Sequence, residues 1–156
     1  MTIIKTEDNG YIVEYISVKV KLITNGKIPV KKTVGASCFD CYARIENKTL
    51  VLAPGERRTI PLGFGLDLPF EYEAVIRPRS GLSKIGIDSI IGTIDSDYRG
   101  EVNAILINKT GEYFKIENGD RICQMKIQHA PMVKLELVPE LSETERGCNG
   151  FGSTGI

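Results

Sequence analysis

The chain has 156 residues, which suits one domain around one core. Apolar residues make up 42% and charged residues 26%, and 20 basic side chains balance 20 acidic ones, so a nucleic-acid polymer, which selects a basic surplus, is excluded as the expected partner. No run approaches membrane-spanning length, and MTIIKTEDNG has neither a basic region followed by an apolar stretch nor a small-residue cleavage site; the expectation is a cytoplasmic protein with no membrane partner.

The predicted elements are almost all strands. Val18, Val20 and Leu22 alternate with Lys19 and Lys21, the period of a half-buried strand. TLVLAPG, GFGLDLP and YEAVIRP follow, short apolar runs separated by glycine, proline and polar clusters about every ten residues. After Arg79-Ser80-Gly81 comes the one predicted helix, over GLSKIG, with Ser80 as its cap and the amides of its first turn as an anion site. EVNAILIN and RICQMKI return to strand character, and Val133, Leu135 and Leu137 alternate with Lys134 and Glu136 as a last half-buried strand. This pattern predicts an all-β sandwich or barrel in the manner of a jelly roll, spanning residues 1–139. From 140 to 156, LSETERGCNGFGSTGI carries four glycines and little to bury, and is expected to be a flexible tail.

Cys38, Cys41, Cys123 and Cys148 lack a secretory context and are expected to be free thiols. Cys38-x-x-Cys41 has no second such pair, and His129 is the only histidine. Residues three apart on an extended segment face opposite ways, which favours structural cysteines over a zinc or redox site.

Five polar blocks exceed what a β scaffold requires. Asp40 sits among small and apolar residues in GASCFDCYA, where it suits a turn or a metal or water ligand equally. Arg77-Pro78-Arg79-Ser80-Gly81 joins guanidinium forks, a hydroxyl and a glycine, the components of a phosphate site or of a solvated basic turn. Gly92-Thr93-Ile94-Asp95-Ser96-Asp97-Tyr98-Arg99-Gly100 sets two carboxylates and an aromatic ring between strand-like runs. A plain β-turn explains the Asp, Ser and Gly, whereas a carboxylate able to take a proton from water and a ring able to stack give it a chemical use. Gln124, in Gly119-Asp120-Arg121-Ile122-Cys123-Gln124-Met125, lies inside an apolar strand and needs partners, from a substrate or a neighbouring backbone. The tail combines Arg146, Phe151, Ser153 and Thr154 with Gly147, Gly150, Gly152 and Gly155, a mixture shared by idle termini and phosphate-cradling loops. It lacks the lysine spacing and strand-to-helix setting of a P-loop.

Together, in this order and spacing, PRSGL, IDSDYRG, GDRI-x-Q and GFGSTG resemble the trimeric deoxyuridine triphosphatase (dUTPase) family, from about Val18 to Ile156. The resemblance implies a distorted jelly-roll homotrimer whose three sites are shared between subunits. It implies a hydrolase of nucleotide metabolism that cleaves dUTP to dUMP and pyrophosphate, limiting uracil incorporation into DNA and supplying dUMP for thymidylate synthesis. Asp95 would orient and deprotonate the attacking water and Asp97 support the turn, although the residues alone do not choose between the two carboxylates. Tyr98 would pack on the deoxyribose, and the backbone of the hairpin from Gly92, Thr93 and Ile94 past Asn103 would read uracil. Arg79, Ser80, Gly81 and Gln124 would hold phosphates and water. Asp40 would meet Mg2+ through bound water, the metal arriving on the triphosphate. From the tail, Phe151 would cover uracil, with Gly152 beside it, while Arg146, Ser153 and Thr154 would bind the terminal phosphates.

Cys38 and Cys41 depart from the family's usual residues around Asp40, Asn149 stands where glycine is common, and Ser89 replaces a longer amide found in some members. Two alternatives stay open at this point. A dCTP deaminase shares the fold but needs a dedicated carboxylate for the cytosine amino group. A non-catalytic β trimer would bind nucleotide without hydrolysing it.

Overall fold

The computed structural model describes residues 3–8 and 10–150. In chain order these form β1 (Ile3–Asp8), β2 (Tyr11–Ile16), β3 (Lys19–Leu22), β4 (Phe39–Tyr42), β5 (Thr49–Leu52), β6 (Arg57–Pro61), β7 (Phe64–Asp67), β8 (Tyr72–Arg77), α1 (Ser80–Lys84), β9 (Ile87–Ser89), β10 (Gly92–Ile94), β11 (Asn103–Asn108), β12 (Phe114–Glu117) and β13 (Arg121–His129). The all-β expectation with one short helix holds. A four-stranded sheet runs β10-β8-β13-β4 and a three-stranded sheet β6-β11-β9, with the pairs β12-β5, β3-β7 and β1-β2 beside them.

The faces follow from the pleat. On β11, Ala104, Leu106 and Asn108 are buried while Asn103 and Ile105 are exposed. In the middle of β8, Ala74, Val75 and Ile76 are buried in succession, as befits a strand between two neighbours and covered on both faces. Ala74, Ile76, Ala104 and Leu106 join Leu52, Ile60, Leu62, Phe64, Ile116 and Ile122 in one apolar cluster. Buried Asn108 is fully served there: its Nδ2 donates to the carbonyls of Leu52 (3.1 Å) and Glu112 (2.7 Å), and its Oδ1 accepts from the Thr110 amide (3.0 Å) and hydroxyl (2.7 Å). Among the described residues no helix is long and apolar enough to cross a membrane.

Four sequence expectations need correction. Ser80 does not cap the helix. Arg79 occupies the cap position in an extended conformation, and its carbonyl accepts from the amides of Leu82 (3.0 Å) and Ser83 (2.9 Å). A helix of five residues has too few aligned peptides to make its start an anion site. Second, Val18 packs on the core, but Val20 and Leu22 of β3 are exposed, since among the described residues β3 pairs only with β7 and its outer face is uncovered. Third, Val133, Leu135 and Leu137 form no strand and lie exposed; alternation alone makes no strand without a neighbouring edge to bond. Finally, Gly92 to Asn103 is not a closed hairpin.

Its base is paired as expected. β9 meets β11 from Ile87↔Asn108 to Ser89↔Leu106, and the Ile90 amide donates to the Ile105 carbonyl (2.8 Å). Beyond that the arms part. β10 pairs with β8 and the start of β11 with β6, so the tip is pulled open between two sheets.

The cysteines are free thiols among the described residues. Cys41 faces Cys123 across β4 and β13, and the hydrogen bond from Cys123, reinforced by burial, pushes its thiol pKa far up. No group of three or more histidine, cysteine, aspartate or glutamate side chains gathers to hold a metal among the described residues.

Candidate active site

The sheet order places two sets of polar residues. On β4 and β13, Asp40 stands opposite Gln124, and Gln124 opposite Arg77 of β8, so the three share one row across the sheet. Asp40 is held by two arginines: Arg79 Nε lies 3.2 Å from Oδ1 and Arg121 Nη1 2.8 Å from Oδ2. Arg79 Nη1 also donates to the Arg121 carbonyl (2.7 Å), tying the turn after β8 to the start of β13. Gln124 finds its partner in the backbone, its Nε2 donating to the Pro78 carbonyl (2.8 Å). Arg79 and Arg121 line a cavity of about 280 Å³ with Asp120 and the apolar Leu82, Phe114, Ile116 and Ile122. Ser80 and Gly81 are exposed at the start of α1, and the space around Gly81 is open. A small anion could approach the guanidinium groups there.

The second set lies at the opened hairpin. Gly92, Thr93, Ile94, Asp95, Tyr98, Glu101, Val102 and Asn103 line a cavity of about 250 Å³ between the parted arms. β10 is the edge of its sheet, so its outward peptide groups have no strand beside them. That edge can read a flat polar ring by main-chain hydrogen bonds, as a missing strand would. Asp95 follows β10 directly, exposed and without an ion pair among the described residues. The Tyr98 amide closes a turn onto the Asp95 carbonyl (3.2 Å), and the Tyr98 hydroxyl donates to the Glu101 carbonyl (3.0 Å). Asn103 Nδ2 donates to the same carbonyl (2.7 Å). A side chain at Gly100 would run into the Tyr98 ring, so only glycine permits this placement.

The two sets adjoin at Gly92, opposite Ile76, and diverge from there. β10 runs antiparallel to β8 with Gly92 opposite Ile76 and Ile94 opposite Ala74, so the chain reaches Asp95 heading away from Arg77 and Arg79. From Ala74 to Arg77 alone is about 10 Å of strand. Asp95 and Arg79 therefore follow opposite ends of the β8–β10 pairing.

Several residues with a part in this geometry were not singled out from sequence. Arg121 lies within GDRI, and Glu101 directly follows the Tyr98 block. Arg99 supports the turn: Nη1 donates to the Ser96 carbonyl (2.6 Å) and Nη2 to Asp67 on β7 (2.7 Å). Lys19 and then Arg99 hold the Asp67 carboxyl below its usual range. Arg44, which pairs with Glu101 at 2.8 Å, carried no sequence signal. In the tail, Arg146 Nε donates to the Asn149 carbonyl (2.9 Å), within the tail itself. Ser89 is buried, its hydroxyl turned to the Ile90 carbonyl (3.3 Å). Phe151, Gly152, Ser153 and Thr154 lie outside the described residues.

A β-sandwich with an arginine–carboxylate cluster and an opened hairpin defines a scaffold fit for a small ligand carrying both phosphate and a flat ring. Comparison with known proteins agrees. The dUTPase family model matches residues 24–155, and the chain belongs to the dUTPase family. It is 48% identical over 133 residues to a deoxyuridine 5'-triphosphate nucleotidohydrolase of Rhizobium rhizogenes, covering 83% of this chain and 85% of that protein. A protein of the same name from Finegoldia magna is 46% identical over 142 residues, covering 88% and 99%. Among solved structures, the Staphylococcus bacteriophage 80alpha dUTPase with dUPNHPP is 26% identical with a TM-score of 0.82, over 90% of this chain and 99% of that one.

Proposed function

We propose that the protein is a dUTP diphosphatase, cleaving dUTP to dUMP and pyrophosphate, and that it works as a homotrimer with shared sites. The observation that carries the reading is the hairpin opened between two sheets, with Asp95 and Tyr98 on the rim of its cavity. The base enters as a substitute strand and meets the backbone of Gly92 to Ile94 and the Asn103 region. Tyr98 packs on the sugar where a 2′-hydroxyl would clash, which selects deoxyribose. Arg79, Ser80, Gly81 and Gln124, brought by a second copy, hold the phosphates and the water. The tail follows, Arg146, Ser153 and Thr154 to the terminal phosphates and Phe151, with Gly152 beside it, over the base.

Water attacks the α-phosphorus in line. A P–O bond forms to the water oxygen, the bond from the α-phosphorus to the α,β-bridging oxygen breaks, pyrophosphate leaves with that electron pair, and Asp95 takes the water proton. Asp95 suits this role because no cation among the described residues holds it.

The residues fit a Mg2+ ion that arrives with the substrate. Asp40 is a single carboxylate already bound by two arginines, a donor set too small for an all-protein cage but able to accept from a metal-bound water. Bound there, the ion would neutralise charge on the phosphates.

The product dUMP is a thymidylate precursor and its formation removes dUTP from the DNA-precursor pool, a role that suits a cytoplasmic enzyme. Pyrophosphate release is the deciding measurement. The protein should release it from dUTP and not from UTP or dCTP; ammonia from dCTP would point to a deaminase, and dUTP binding without turnover to a binding module.

A further inference from the structure

We propose that Arg44 and Glu101 are a positioning pair that sets Tyr98 and Asn103 for recognition of the deoxynucleoside; the inference rests on the function proposed above. Glu101 acts through both its side chain and its main chain. Its carboxylate receives Arg44 in a two-pronged grip, Nε to Oε1 at 2.8 Å and Nη2 to Oε2 at 2.9 Å, and Oε1 also accepts from the Gly63 amide at 2.9 Å. Its carbonyl is where the Tyr98 hydroxyl and the Asn103 amide both donate. Anything that moves Glu101 therefore moves the ring and the amide together.

The grip is anchored outside the recognition loop. Arg44 follows β4, and its own amide donates to the Pro61 carbonyl at the end of β6 (2.8 Å). Gly63 makes the turn from β6 to β7 with a positive φ of 78° and packs against Gly26 too closely for either to carry a side chain. Both side chains of the pair are mostly withdrawn from solvent, at 16% and 22% exposed, so loss of one partner strands the other's charge. The chain entering β11 has a second anchor besides the pair, because Val102 is fastened independently: its amide donates to the Phe64 carbonyl (2.8 Å) and its carbonyl accepts from the Leu62 amide (3.0 Å). What the pair adds is the placement of residues 98–101 upstream of that anchor and, through the Glu101 carbonyl, of the Asn103 side chain just beyond it.

The test is the preference of full-length variants for dUTP over UTP, since the sugar is what Tyr98 would discriminate. Glu101→Ala and Arg44→Met should raise KM for dUTP about tenfold and cut the dUTP:UTP ratio of kcat/KM by about tenfold, with kcat for dUTP within about twofold of wild type. Arg44→Lys, which keeps charge but not the fork, should recover part of both. Glu101→Gln retains an acceptor for Gly63 and gives the reading should Glu101→Ala fail to fold. Variants that lose thermal stability while keeping the wild-type dUTP:UTP ratio would overturn the positioning role. Wild-type protein assayed alongside separates the two ideas, because absence of dUTP turnover there defeats the function reading itself.

Discussion

Asp95 and Glu101 are two carboxylates on one loop with opposite surroundings. Asp95 is exposed and has no ion pair among the described residues, and in its proposed role as base for water it should be worth about 10² to 10⁴ in rate. Asp95→Asn should therefore bind a non-hydrolysable dUTP analogue nearly as wild type does in a calorimetric titration while turning over at least about a hundredfold more slowly. Glu101 is paired, and the hydrogen bond from Arg44 holds its carboxyl below the ordinary 4.5, despite the opposing effect of burial. A carboxyl depressed on folding stabilises fully above its unfolded value and loses that contribution as pH falls through the folded one. Melting curves of wild type and Glu101→Gln should differ at neutral pH and converge as pH drops below about 4.5. Asp95 and Tyr98 were legible in the sequence because an unusual dense block drew the eye. Glu101 was not, because its meaning depends on an arginine 57 positions away, and no local pattern records that distance.

At the level of elements, alternation revealed β11 well: Ala104 and Leu106 enter the core and Ile105 does not. Leu106 is fully buried, and Leu106→Ala should cost about 2–5 kcal/mol in chemical denaturation. Runs such as YEAVIRP and RICQMKI were equally readable, since β8 and β13 sit centrally and need apolar residues on both faces. The opened hairpin was not. Turn-like residues between two strand-like runs predict that the runs pair with each other. Here β8 and β6 compete for the two arms and win, an outcome set by topology. The helix start failed for a smaller reason. Serine is a good cap in general, but the chain turns one residue earlier, and Arg79 takes the position while its side chain is held by Asp40 and the Arg121 carbonyl.

For the whole molecule, β8 divides the chemistry. Ala74 faces the strand leading to Asp95, while Arg77 leads to Arg79. Exposed Val20, Leu22, Ile91, Val133, Leu135 and Leu137 give the surface an apolar excess that a second and third copy would cover. Val20, Leu22, Val133, Leu135 and Leu137 were read from sequence as the inner faces of half-buried strands, and assembly is where that reading would find its physical sense. The shared site proposed above makes a sharp prediction. Asp95→Asn and Arg79→Ala chains, each inactive alone, should recover activity when mixed under subunit exchange, to about a quarter of wild type if trimers form at random with one intact site in each mixed trimer. Activity that stays at the sum of the two parents would mean that each chain carries its whole site. The same division gives this protein an unusual response to scarcity. Diluted below the point of association, it should stop hydrolysing dUTP while its circular dichroism remains that of a folded protein, so that chain abundance sets whether catalysis exists as well as its rate.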